Sequence, residues 1–124
     1  MSAGRLDIHI EQGATFELIF QVFDSNNAAI SIAGATVRGK VKADLDSATA
    51  LLTFTGSLVN DGSDGQGKVV STAAETAALS LDASDAAERN LTNAVYDIEV
   101  EQTDGTVLRV LEGFVTISPE ATTA

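Results

Sequence analysis

The sequence has no cysteine and no tryptophan, and only one histidine and one tyrosine. Without cysteine there is no disulfide framework and no thiolate metal site, which fits a reducing compartment. Without tryptophan, and with aromatics at 5%, stacking on bases or sugar rings is disfavoured. Basic residues are also scarce: 7 against 18 acidic ones, for a formal net charge of -11. Such a surface repels phosphate backbones and anionic lipid, so neither nucleic acid nor a membrane is an expected partner. No apolar run approaches the roughly 18 residues of a membrane-spanning helix. The start, Met1 to Asp7, shows no signal-peptide pattern, so the chain is expected to be made in the cytoplasm.

What the 124 residues do contain is alternation. Leu6, Ile8 and Ile10 alternate with polar neighbours, as do Phe16, Leu18, Phe20 and Val22. Val37, Gly39, Val41 and Ala43 alternate with Arg38, Lys40 and Lys42. Period-2 patterning of this kind predicts half-buried strands. Further strands are expected around Leu52 and Phe54, at Val69-Val70, over Thr76 to Asp82, over Val95 to Gln102 and over Thr106 to Ser118. Asp104-Gly105 between the last two is a hairpin signal. Alternation slips near Glu112-Gly113, which predicts a bulge there.

Turn chemistry punctuates these runs at Asp24 to Asn27, Ala33-Gly34 and Asn60 to Gly65. Ser84 or Asp85 is placed to cap a helical turn containing Ala86, Ala87, Glu88 and Leu91. Thr72 and Glu75 also have capping-box spacing, although the residues that follow fit a strand equally well. The reading is an all-β, immunoglobulin-like β-sandwich of about eight strands with one short helical turn. It forms a single domain over residues 1–118, with a short polar tail over 119–124. A closed barrel shares the same periodicity.

No residue set stands out as catalytic. His9 alternates with Leu6, Ile8 and Ile10, which turns it outward, and Ser and Asp are too numerous to single out a triad. His9 and Glu11 share a strand face, but two ligands do not make a metal site. Asn60 to Gly65 offers oxygens in a tight loop but lacks the spaced acids and closing Glu of an EF-hand, so it reads as a solvated turn. The chain is therefore read as no enzyme, with no cofactor.

Two features point to partners instead. Arg38, Lys40 and Lys42 share one strand face, and Asp97, Glu99 and Glu101 share another. If the two strands are neighbours the stripes form a cross-strand ladder, which is the favoured reading. If they are not, one stripe is left to dock a partner subunit. The N-terminal strand, with Leu6, Ile8 and Ile10, is placed to supply or accept an intermolecular edge pairing. The candidate partner-binding residues are thus Leu6, Ile8, Ile10, Arg38, Lys40 and Lys42.

Several short motifs together resemble a family. Ile10-Glu11-Gln12-Gly13-Ala14-Thr15-Phe16 leads into an apolar strand, and Ile32-Ala33-Gly34-Ala35-Thr36-Val37-Arg38 follows after a polar turn. Leu81 to Ala87 looks like a strand and a small-residue turn, Tyr96-Asp97-Ile98-Glu99-Val100 like a later strand, and Leu111 to Glu120 like the family's ending. The set is similar to the immunoglobulin-like N-terminal domain of phage baseplate upper proteins, which joins receptor-binding parts to the tail. The resemblance implies a phage or prophage virion structural protein, an adaptor at the tail, baseplate or fibre attachment, assembled in the host cytoplasm with other virion proteins. The alternative is a capsid decoration or cement protein bound between major capsid subunits.

Overall fold

Alternating apolar residues fold into a sheet because each strand then hides one face and wets the other. The computed structural model describes residues 4–42, 50–78 and 92–118. Among them are β1 (Gly4–Arg5), β2 (Ile8–Glu11), β3 (Phe16–Gln21), β4 (Thr36–Lys42), β5 (Leu52–Leu58), β6 (Gln66–Ser71), α1 (Ala73–Ala77), β7 (Thr92–Glu101) and β8 (Val107–Ser118). Among the described residues the structure is all-β apart from one short helix. The helical turn expected over 83–91, the strand residues Ala43, Leu79 and Leu81, and the tail over 119–124 lie outside the described residues.

The strands form one eight-stranded path in the order β1-β8-β7-β4-β5-β6-β3, with β2 also on β8. The path curls at β5, which changes partner along its length. Leu52 to Phe54 pair with β4, whereas Thr55 to Leu58 pair with β6. Gly56 sits at this change, where a Cβ would lie 2.0 Å from the Val37 carbonyl oxygen. Only a residue without a side chain lets the strands approach that closely.

Curling brings the inner faces together around Ile10, Ile32, Val41, Val69, Ile98, Val100, Val115 and Ile117, all fully buried. Each such side chain contributes roughly 1.5–3 kcal/mol through its removal from water. Phe16 of β3 stacks on Phe54 of β5 with ring centroids 5.6 Å apart, packing one end of the path against its middle. The first and last described strands meet on one edge, because β1 and β2 pair in parallel with β8.

Two local expectations need correction. A helix capped at Thr72 covers Ala73–Ala77 and so occupies Thr76 and Ala77, the start of the segment expected as a strand. Thr72 Oγ1 accepts from Glu75 N and the Glu75 carboxylate accepts from Thr72 N, a complete capping box. These bonds satisfy donors that an extended chain would leave to water, and they settle the choice for Thr76 and Ala77. The bulge lies at Val110, since Ile98 pairs with Leu111 while Glu99 pairs with Arg109. Gly113 is already in phase with Val115 and Ile117, and Glu112 with Phe114 and Thr116. Gly113, an inward position with no side chain, imitates a slip in the sequence.

Candidate partner-binding surface

The β7–β8 hairpin closes as its Asp-Gly predicts. Gln102 N donates to Thr106 O at 2.8 Å, Asp104 Oδ1 accepts from Thr106 N at 2.9 Å, and Gly105 takes φ 89. Hydrogen bonds from Thr106 hold the Asp104 carboxyl below its ordinary range. This closure sets the register that aligns the charged residues on the outer face of β4, β7 and β8.

There β4 and β7 are antiparallel neighbours, with Arg38 opposite Glu99 and Lys40 opposite Asp97. The ladder expected from the stripes is present. Arg38 Nε reaches Glu99 Oε1 at 3.1 Å and Nη1 reaches Glu101 Oε1 at 2.9 Å. The hydrogen bonds to Glu101 and then Glu99 raise the guanidinium pKa further. From β8, Arg109 reaches Asp97 at 3.6 Å and Glu112 at 3.9 Å. Lys40 and Lys42 form no ion pair within 4.0 Å among the described residues. A shallow groove runs between the stripes, lined by Lys40, Lys42, Thr53, Asp97, Arg109 and Glu112. In it the Asp97 carboxyl is raised above its usual range, first by burial and then by Glu99, against the pull of Arg109 and Lys42.

The N-terminal candidates divide. Ile8 and Ile10 point into the core, so their apolar faces are used within the chain, while Leu6 is 42% exposed. Their strand is held on β8 by a set of contacts that the sequence did not announce. Leu6 N donates to Glu112 O at 3.0 Å, after which the ladder is interrupted. The Leu6 carbonyl turns beneath Gly113 and accepts from the Tyr96 hydroxyl. Phe114 N donates to the side-chain Oδ1 of Asp7 at 3.0 Å. Asp7 thus supplies in its side chain the acceptor that the turned backbone carbonyl does not. Arg5 lies over the Phe114 ring, 4.7 Å from its centroid, and reaches Asp7 Oδ1 at 3.4 Å.

Tyr96 faces the core, and burial followed by the charge of Asp7 pushes its pKa up to about 12. Its hydroxyl therefore stays a donor throughout the physiological range. The sequence reading gave Tyr96, Asp7, Gly113 and Phe114 no part in holding this strand. The available signals were a polar-tipped residue and a glycine at inward positions of otherwise aliphatic strands.

His9 and Glu11 face outward on β2, beside a shallow depression with Ala14, Thr15 and Phe16. Among the described residues no three His, Cys, Asp or Glu side chains group as metal ligands. In the Asn60–Gly65 loop, Asp61 Oδ1 accepts from Ser63 N at 2.9 Å and Asp64 Oδ1 from Gln66 N at 3.2 Å. Both carboxylates cap the turn that contains them, and the Ser63 bonds lower the Asp61 pKa.

Among the described residues no helix is long and apolar enough to cross a membrane. No protein-family model matches the chain, and no curated protein matches it.

Proposed function

We propose that the chain is a non-enzymatic phage virion structural protein, an adaptor at the tail, baseplate or fibre attachment, built on an immunoglobulin-like sandwich. The pairing order supports the sandwich: β5-β6-β3 and β4-β7-β8 correspond to the two sheets of that architecture, with the strand before β3 lying along the last strand. The observation that carries an assembly role is the shared edge, where β1 and β2 lie along β8 next to a face striped with both charges. Edges and charged faces of this kind give register and partner choice. The partners of this reading are other virion proteins, with no nucleic acid, membrane or cofactor involved. The fold by itself fixes no function, so the motif resemblance supplies the virion context.

Immunogold labelling of intact particles with antibody against the chain tests the reading. Gold confined to one vertex or appendage is the expected result. Gold over the whole shell replaces the adaptor by the cement protein. No gold on purified particles overturns both.

A further inference from the structure

The acceptor edge on β8 is built for one kind of strand. It requires two aliphatic residues in alternation to fill the core beside Val115 and Ile117, which Ile8 and Ile10 provide. Just before them it requires a carboxylate to cap Phe114 N and a free carbonyl for the Tyr96 hydroxyl, which Asp7 and Leu6 provide. A second copy of the chain carries that same segment.

The connection to β3 is suited to release it. Thr76 is fully buried; its Oγ1 accepts from Gly13 N at 3.0 Å and donates to Ala14 O at 2.7 Å, which fixes the far side of the turn. Gly13, at φ 87, is the joint with the widest backbone freedom. Gln12 N bonds to Ser118 O on β8 and would find the same atom on a partner. If the arm swings out about Gly13, the turn gives up the bond from Ala14 N to Glu11 O, 3.1 Å, and Gln12 Nε2 leaves Ala77 O, 3.5 Å. The pairing with β8, the Tyr96 bond to Leu6 and the Asp7 cap on Phe114 N form again between chains, the condition under which strand exchange is a low-cost route to dimers.

We propose that the arm Gly4 to Glu11 exchanges between two copies of this chain, each arm completing the β8 edge of the other. The inference does not rest on the virion reading and is tested on the purified protein.

The chain has no cysteine of its own, and His9 and Thr116 are register partners across β2 and β8. Neighbouring strands there fall within the Cα separations a disulfide spans. Full-length His9→Cys and Thr116→Cys chains are mixed, unfolded, refolded together at high concentration and oxidised. The expected product has twice the monomer mass by light scattering, with the 9–116 linkage dominating the peptide map. A monomer at every concentration, or a statistical mixture of 9–9, 116–116 and 9–116 links, overturns the proposal.

Asp7→Ala gives a second readout. Because the Asp7 bond exists in both the closed and the exchanged forms, its loss leaves the dimer fraction at equilibrium unchanged. It speeds exchange between folded chains roughly tenfold, the effect of one charge-assisted hydrogen bond on opening. A changed equilibrium fraction with an unchanged rate contradicts the mechanism.

Discussion

Gly113→Ala is the sharpest test of how the N-terminal arm is held. A Cβ at this position would lie 2.3 Å from the Leu6 carbonyl oxygen, 2.8 Å from its carbon and 2.9 Å from Asp7 Oδ1. Carbon and oxygen approach to about 3.3 Å at the closest in weak hydrogen bonds, so the arm has to retreat by about 1 Å. Two of the three atoms are backbone, and no rotamer change relieves the clash. A retreat of that size breaks the Leu6 N to Glu112 O bond, the Tyr96 to Leu6 bond and the Asp7 cap on Phe114 N. At about 1 kcal/mol for each bond, with the desolvated groups left partly unpaired, the loss is about 2–4 kcal/mol. For a domain of this size that is a fall of about 10 °C in Tm. Urea unfolding gives the free energy, and hydrogen exchange locates it. Amides of Leu6, Ile8, Ile10 and Phe114 should lose protection, while those of β4 and β5 exchange more slowly than the edge. A shift within 0.5 kcal/mol would refute the close-approach argument, because the arm would then be able to move at no cost.

Other substitutions read single features. Asp97→Asn probes the raised carboxyl: the folded pKa lies above the unfolded one, so wild-type stability, relative to the variant, falls as pH rises from the unfolded value of about 3.9 through the folded one. Urea midpoints between pH 3 and 7 should show that widening gap, and a pH-independent gap rejects the assignment. Among the described residues Ser71 Oγ is buried without a hydrogen-bond partner, so Ser71→Ala should leave Tm unchanged or raise it; a loss above about 1 kcal/mol would reveal an unrecognised partner. Thr76→Val removes the hydroxyl that ties Gly13 and Ala14 to the helix and should cost about 2 kcal/mol in urea unfolding. Near-neutrality would show that the turn is held by other means.

The strands were legible because burial on one face writes itself into the sequence with period two. Val37 and Val41 of β4 are buried and Arg38 and Lys40 between them are exposed, as the alternation requires. The hairpin was legible because Asp104-Gly105 meets a local backbone demand. The charged ladder was readable only conditionally, since alternation fixes which residues share a face but not which strand lies alongside. The same limit hid the parallel pairing of β2 with β8, a contact between the two ends of the chain. The change of partner along β5 was hidden too, because Leu52 and Phe54 face the core whichever strand they pair with. The helix was lost to a real ambiguity: Ala73 to Ala77 has no strong period, and the cap at Thr72 decides it. The residues that dock the arm act through tertiary contacts of a hydroxyl, a carboxylate and an absent Cβ, none of which leaves a repeat in the chain.

Where an assembly would grip this protein follows from how its outer face is already used. Arg38 is held by two carboxylates and Arg109 lies near two more, so these cations have little to offer a newcomer without first giving up a partner. Exposed ion pairs are individually weak, so the ladder chiefly fixes the β4–β7 register. Lys40 and Lys42 are spared this pairing, but they stand beside Asp97, and a net charge of -11 opposes the approach of another acidic body. Screening reduces that opposition only beyond about 8 Å at physiological salt. A contact that overcomes it needs short-range terms that salt does not screen: main-chain hydrogen bonds and buried aliphatic surface. The β1–β2 edge combines both in one segment, so association through that edge should be far less sensitive to salt than association through the charged groove. Titrating salt during co-refolding separates the two: a dimer yield that falls steeply as salt is added assigns the contact to the groove, and a flat or rising yield assigns it to the edge.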